Sequence, residues 1–263
     1  MAQSDAETTG RIVDLQGVWK RYRRHHDRPA RIKDALLARV LGHVHEVEET
    51  WAVRDLTMRV EPGEIVGLIG PNGCGKTTVL SVIAGVLEPT RGHLTVRGRV
   101  CPMLQAGAGF HPDLTGLENI YLSGAILGMD RREISYQFDS IVEWAEAETW
   151  VDTPVRTYSS GMLMRLGFSV AIHMRPDILI VDEILATGDE AFRSRVRRRL
   201  RREAEDGKIV LFVSHYMEEI QMLCDRVIWM ESGIAIRRGP TAPLVEKYIA
   251  QGRANEREIE GRP

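Results

Sequence analysis

Apolar residues in this chain fall into short unbroken runs, separated by glycine loops and by stretches of helical spacing. From Trp51 the order is a strand-like segment "WAVRDLTMRV", a turn at "EPGE", the run "IVGLI" (Ile65 to Ile69), a glycine-rich loop, and a helix "KTTVLSVIA" ended by Gly85. Two further runs, "ILIV" (Ile178 to Val181) and "IVLFV" (Ile209 to Val213), read as strands buried on both faces of a parallel sheet. Between them "FRSRVRRRLRRE" places Phe192, Val196 and Leu200 at i, i+4 and i+8, an amphipathic helix with its arginines toward water. Residues from about 108 to 175 read mostly as helix, including "LENIYLSGAILGM" and "GMLMRLGFSVAIHM", the latter stopped by Pro176. The pattern predicts an α/β core interrupted by a helical block.

Ahead of that core, "RIVDLQGV" reads as a strand and runs into the basic stretch "KRYRRHHDRPARIK" and a short helical pattern, "DALLARVLG". Residues of about 23–50 are therefore expected to be an insert. The polar residues 1–10 and the charged tail 251–263 are expected to be disordered, leaving 11–250 as the folded domain.

Composition narrows the classes. At 263 residues, 43% hydrophobic and 27% charged, the chain is long enough for one large soluble domain carrying a subdomain. With 35 Lys+Arg against 37 Asp+Glu the net charge is −2, so no global positive field attracts nucleic acid. "MAQSDAETTG" is unlike a signal peptide, and the apolar runs are far shorter than the ~20 residues that span a bilayer. Any membrane spans in its action must come from another chain. Cys74, Cys101 and Cys224 are scattered, without metal or disulfide spacing, as in a reducing cytosol.

Three stretches carry chemistry. In "GPNGCGKTT", Gly70, Gly73 and Gly75 let backbone N–H groups turn toward one point, the helix starting near Lys76 adds its positive dipole end, Lys76 reaches β- and γ-oxygens, and Thr77 can ligate Mg²⁺. Asn72 and Thr78 belong to the same nucleotide-binding loop. In "DILIVDE" a buried strand delivers Asp182 and Glu183 to its end, Asp182 to hold Mg²⁺ and Glu183 to orient or deprotonate an attacking water. In "TYSSGMLMRLGFSVA", Ser159, Ser160 and Gly161 open a second helix whose hydroxyl, N–H groups and dipole again point at an anion. A single triphosphate needs only one such cradle; the second can serve a nucleotide held by another copy of the chain.

Over about residues 12 to 250 the sequence resembles the ATP-binding subunits of ABC transporters. "GPNGCGKTT" looks like Walker A, "YSSGM" like the signature motif, "ILIVDE" like Walker B, "ATGD" (ending at Asp189) like the D-loop, and "VSH" like the switch-histidine region. The resemblance implies a RecA-like P-loop NTPase core with an inserted helical subdomain and an N-terminal antiparallel β portion. It implies that His215 holds γ-phosphate and attacking water, that Gln105 touches Mg²⁺ and water, and that Asp189 contributes to the nucleotide site. It also implies that an aromatic stacks on adenine; Tyr22 in "KRY" fits, with Trp51 as a rival.

Within that family, "GAGFHPDLTGLENI", "VDEILATGDEAF" and the insert before "WAVRDL" resemble exporters of O-antigen, teichoic acid and related glycans. Ser160 and Met162 depart from the general signature pattern as that subgroup does, whereas Gln105 follows the general ABC pattern. The implied machine is a head-to-tail homodimer sandwiching two ATP and Mg²⁺, peripheral on the cytoplasmic face of the cell membrane, with an integral-membrane transporter subunit and a lipid-linked polysaccharide as partners and no nucleic acid. A cleft near Gln105, Phe110 and Leu114 is expected to receive a cytoplasmic helix of the membrane subunit. Arg21, Arg23, Arg24, Arg28, Arg31 and Lys33 either attract anionic headgroups or form a solvated face. As relatives with a carbohydrate-binding β-domain extend further, recognition of chain termination by this subunit is not expected. The alternatives are the ATPase of a lipid, drug or nutrient transporter, a nucleic-acid-associated ABC protein and a P-loop kinase.

Overall fold

A computed structural model describes residues 10–25, 47–103, 109–182 and 189–260. Six strands form the central sheet in the order β5 (Val100–Met103), β6 (Ile178–Asp182), β7 (Ile209–Val213), β3 (Ile65–Ile69), β8 (Arg226–Glu231) and β9 (Ile234–Pro240). All neighbours run parallel except β8 and β9. A second, antiparallel sheet has the order β2 (Val47–Val60), β1 (Ile12–His25), β4 (Arg91–Arg97).

The unbroken apolar runs follow from burial on two sides. Along β3, Ile65 and Ile69 enter one core while Val66 and Leu68 enter the other, and β6 and β7 alternate in the same way. Every residue of β3, β6 and β7 is buried. One face is covered by α1 (Lys76–Ile83) and the antiparallel sheet. The other is covered by α4 (Ser160–His173), α5 (Glu190–Glu205) and α6 (Met217–Leu223), and by part of α7 (Thr241–Glu260). Two more helices, α2 (Gly116–Ile126) and α3 (Arg131–Ala145), both opened by capping boxes, pack with α4 to form the helical block.

Two expectations are corrected. The basic stretch does not leave the fold after residue 22: β1 continues to His25 and pairs with β2, Arg23 opposite Glu49, where Arg21 and Arg23 both form ion pairs. The alternating charges suit an exposed antiparallel ladder; residues 26–46, with Arg28, Arg31 and Lys33, lie outside the described set. The tail expected to be disordered from 251 continues α7 to Glu260; Ala, Arg and Glu are strong helix formers and need only an existing helix to extend. On α5, Phe192, Val196 and Leu200 are buried, but several of the arginines expected to face water pair with Glu190, Glu203, Asp225 and Glu146.

What the sheet order does for chemistry is visible in the register. Val213 lies opposite Leu68 on one side and Asp182 on the other, so the carboxyl ends of β3, β6 and β7 lie together at one edge.

Candidate functional site

The loop after β3 is pressed against two other backbones. A Cβ on Gly70 would sit 2.1 Å from the Met230 carbonyl oxygen and one on Gly75 2.3 Å from that of Ala52, so neither position can carry a side chain. The loop leads into α1, whose N-cap Gly75 supplies no side-chain cap. The first N–H groups of this helix are therefore left for an outside acceptor.

Asn72, Gly73, Gly75, Lys76, Thr77, Thr78 and His215, with Ala52, line one cleft of about 330 Å³. Lys76, only 7% exposed, donates from Nζ to the carbonyls of Gly70 (2.8 Å) and Pro71 (3.1 Å), which hold its ammonium across the loop. Thr77 Oγ1 donates to Asp182 Oδ2 at 3.3 Å, joining the loop to the end of β6. A hydroxyl and a carboxylate are hard oxygen donors, the set a small divalent cation such as Mg²⁺ takes. Cys74 lies beneath the loop, where burial raises its thiol pKa against the pull of Lys76. It is a neutral filler.

His215 enters through a turn that the sequence reading did not single out. Ser214 Oγ accepts from the Tyr216 N–H (3.0 Å) and donates to Glu219 Oε2 (3.2 Å), bending the chain straight after β7. The only sequence signal was a serine at the strand end with a glutamate five residues beyond. Glu183 and Gln105 lie outside the described residues.

The two candidate adenine platforms are not equivalent. Trp51 packs edge-on against Trp19 with ring centres 5.3 Å apart, and the guanidinium groups of Arg21 and Arg91 lie 5.3 and 5.5 Å from its ring. Tyr22 is 39% exposed and its hydroxyl lies 3.5 Å from Thr78 Oγ1, beside the cleft. Tyr22 is the more exposed of the two, with the Lys20 ammonium 5.9 Å from its ring centre.

A second cleft, about 260 Å³, is lined by Ser159, Gly161 and Met162 with Glu146, Trp150, Arg165 and Asp189. Ser159 caps α4 by accepting from the Met162 N–H at 3.2 Å, which leaves its own proton to donate. Asp189 accepts from the Phe192 N–H at 2.7 Å as the cap of α5; this bond and the Arg165 guanidinium hold its carboxyl below the usual carboxylate range. Arg165 also pairs with Glu146, and Arg195 reaches Glu146 while its guanidinium lies over Trp144. Arg165 and Glu146 were missed in sequence, the arginine being legible only as the residue one turn beyond Gly161. The residues predicted to bind one nucleotide thus divide between two clefts of the same chain, with Asp189 in the second.

The family profile described as ABC transporter matches residues 53–186, which contain the phosphate loop, Ser159 and Asp182. The chain belongs to the ABC transporter family. It is 41% identical over 238 residues to an O-antigen export system ATP-binding protein, RfbB, of Klebsiella pneumoniae, covering 90% of this chain and 97% of that one. It is 39% identical to a teichoic acids export ATP-binding protein, TagH, of Enterococcus faecalis, over 78% of this chain and 46% of the relative. Among solved structures it resembles a dimeric, post-hydrolysis state of the ATP-binding cassette MJ0796 bound to ADP and Pi, with a TM-score of 0.69, 21% identity, and 87% and 98% of the two chains covered. That likeness bears on the fold, which is the P-loop core with an antiparallel β portion and an inserted helical block.

Proposed function

We propose that this protein is the ATP-hydrolysing subunit of an exporter of lipid-linked cell-envelope polysaccharide, working as a head-to-tail homodimer on the cytoplasmic face of a membrane-spanning partner. The observation that carries the reading is the presence of two separate clefts, each at a helix N-terminus, on one chain. The names of the relatives favour glycan export over a lipid, drug or nutrient transporter. No helix among the described residues is long and apolar enough to cross a membrane, which agrees with a separate spanning subunit.

In this mechanism the N–H groups at the start of α1 and the Lys76 ammonium bind the β- and γ-phosphates. Thr77 and Asp182 would hold Mg²⁺, which would neutralise charge on the phosphate oxygens. His215, in the cleft, orients the γ-phosphate and water. Glu183, next in the chain to Asp182, accepts the proton of that water. The hydroxyl of Ser159 and the N–H of Gly161 from the second copy complete the γ-phosphate's shell. Losing that shared phosphate removes the contact that holds the copies together.

Tyr22 stacks on adenine. Tyr22→Ala is expected to weaken ATP binding about tenfold, as loss of one base–aromatic stack does. Equilibrium titration with ATP checks this, and an unchanged affinity would return the role to Trp51.

For the membrane partner, an apolar groove of about 610 Å³ between α2 and α3 is lined by Leu117, Tyr121, Ala125, Ile134 and Phe138, with Glu118 and Arg131 at its rim. It is concave and apolar, as the seat of a short amphipathic helix is; Phe110 and Leu114, at the cleft expected from the sequence, are partly buried, as are Leu117, Tyr121 and Phe138.

The reading is tested with Glu183→Gln, which slows hydrolysis and preserves the sandwich. Light scattering is expected to show a dimer with Mg-ATP and a monomer without it, and Ser159→Arg in the same chain to abolish the dimer. A Glu183→Gln dimer indifferent to ATP and to Ser159 would overturn the shared-site engine.

A further inference from the structure

Behind the phosphate loop three backbones approach closely, two of them through glycines. Gly75 abuts the Ala52 carbonyl of β2 from one side. Gly233, in the turn joining β8 to β9, abuts it from the other: a Cβ there would lie 2.9 Å from the Ala52 oxygen and 3.1 Å from its carbon, and φ is +84°. The turn is tied at both ends, the Gly233 N–H donating to the Cys74 carbonyl at 3.0 Å and the Gly233 carbonyl accepting from the Arg54 N–H at 2.8 Å. Cys74 C=O and Gly75 N–H belong to one peptide group. In a planar trans peptide these two bonds point in opposite directions. Fixing the carbonyl toward Gly233 therefore turns the Gly75 N–H the other way, and Gly75 lines the nucleotide cleft.

We propose that the β8–β9 turn is a positioning element of the phosphate loop, with Gly233 setting the 74–75 peptide plane so that the Gly75 N–H faces the nucleotide's phosphates. The role rests on the nucleotide site proposed above. Gly233 touches no ligand; it acts through the loop.

The test is titration of the purified full-length chain with a fluorescent ADP analogue and Mg²⁺, which needs neither dimer nor membrane partner. Gly233→Ala is compared with Gly63→Ala. Gly63 has φ +88° but lies before β3, at the far end of that strand from the loop, and a Cβ there meets only the Ala204 oxygen at 3.5 Å. The two changes carry a like φ strain, and they differ in that a Cβ at 233 also collides with the Ala52 carbonyl behind the loop. Gly233→Ala is expected to weaken ADP binding about tenfold or more and Gly63→Ala less than about twofold, the anion-binding N–H being misdirected only in the first. Equal affinities in the two variants would overturn the proposal.

Should Gly233→Ala not fold, hydrogen exchange on the wild-type chain decides. ADP is expected to slow exchange in the segment from Met230 to Ile234 together with that of the loop; slowing confined to the loop overturns the proposal. A wild-type chain that takes up neither ADP nor ATP removes the nucleotide site itself, and is distinguished by its failure before any variant is made.

Discussion

Lys76→Met is expected to abolish ATP turnover while leaving a folded chain: phosphate release falls by at least about a hundredfold, the scale on which one preorganised electrostatic contact to a developing charge acts. The side chain is nearly enclosed, so what replaces it matters. Methionine has an unbranched stem of similar length and fills the same channel without a charge. The loss to stability is that of the bonds from Nζ to the Gly70 and Pro71 carbonyls, about 1.5 kcal/mol each for a charged donor, offset in part because a buried ammonium no longer has to be desolvated. That is a small shift in melting temperature beside the expected loss of rate. Measured side by side, melting and phosphate release separate the two effects. Wild-type turnover in a folded Lys76→Met chain would show that the loop does not do the chemistry assigned to it.

The parts of the site legible in sequence are those with a local cause. A run such as "IVGLI" needs only its own five residues to report burial on two faces, and the loop after it needs only its glycines and lysine. Sheet order was not legible, yet it is what brings Asp182 and His215 beside Lys76, through a register spanning residues far apart in the chain. Tyr22 was preferred to Trp51 only by its place in "KRY", both being aromatics near a strand. The neighbours that distinguish their surroundings, Trp19, Arg21 and Arg91 around Trp51 and Thr78 beside Tyr22, are tertiary. The contacts of Gly233 were hidden for a different reason: they are made by backbone atoms, which leave no signature in residue type beyond the glycine itself. The placement of Asp189 depended on an ion pair with Arg165, 24 residues earlier, which no periodicity records.

The division of the predicted nucleotide ligands between two clefts leads to the sharpest expectation. Lys76→Met disables the first cleft and leaves the second intact. Ser159→Arg does the reverse: it replaces the cap of α4, costing about 1 kcal/mol, and sets a cation at a helix end whose dipole is already positive. Each variant alone is expected to be inactive, since in a symmetric dimer every site then contains one broken half. Mixing the two is expected to restore activity. In the mixed dimer one site combines both broken halves, while the other joins the intact phosphate loop of the Ser159→Arg chain to the intact Ser159 of the Lys76→Met chain. Random assortment makes about half of the dimers mixed, so about a quarter of all sites are whole and turnover approaches that fraction of wild type. If each copy instead used its own Ser159, no combination of these chains would contain a working site and the mixture would stay as inactive as its parts. Recovery on mixing therefore cannot arise from a P-loop enzyme acting as a monomer, and its size reports how far one whole site turns over while its neighbour cannot.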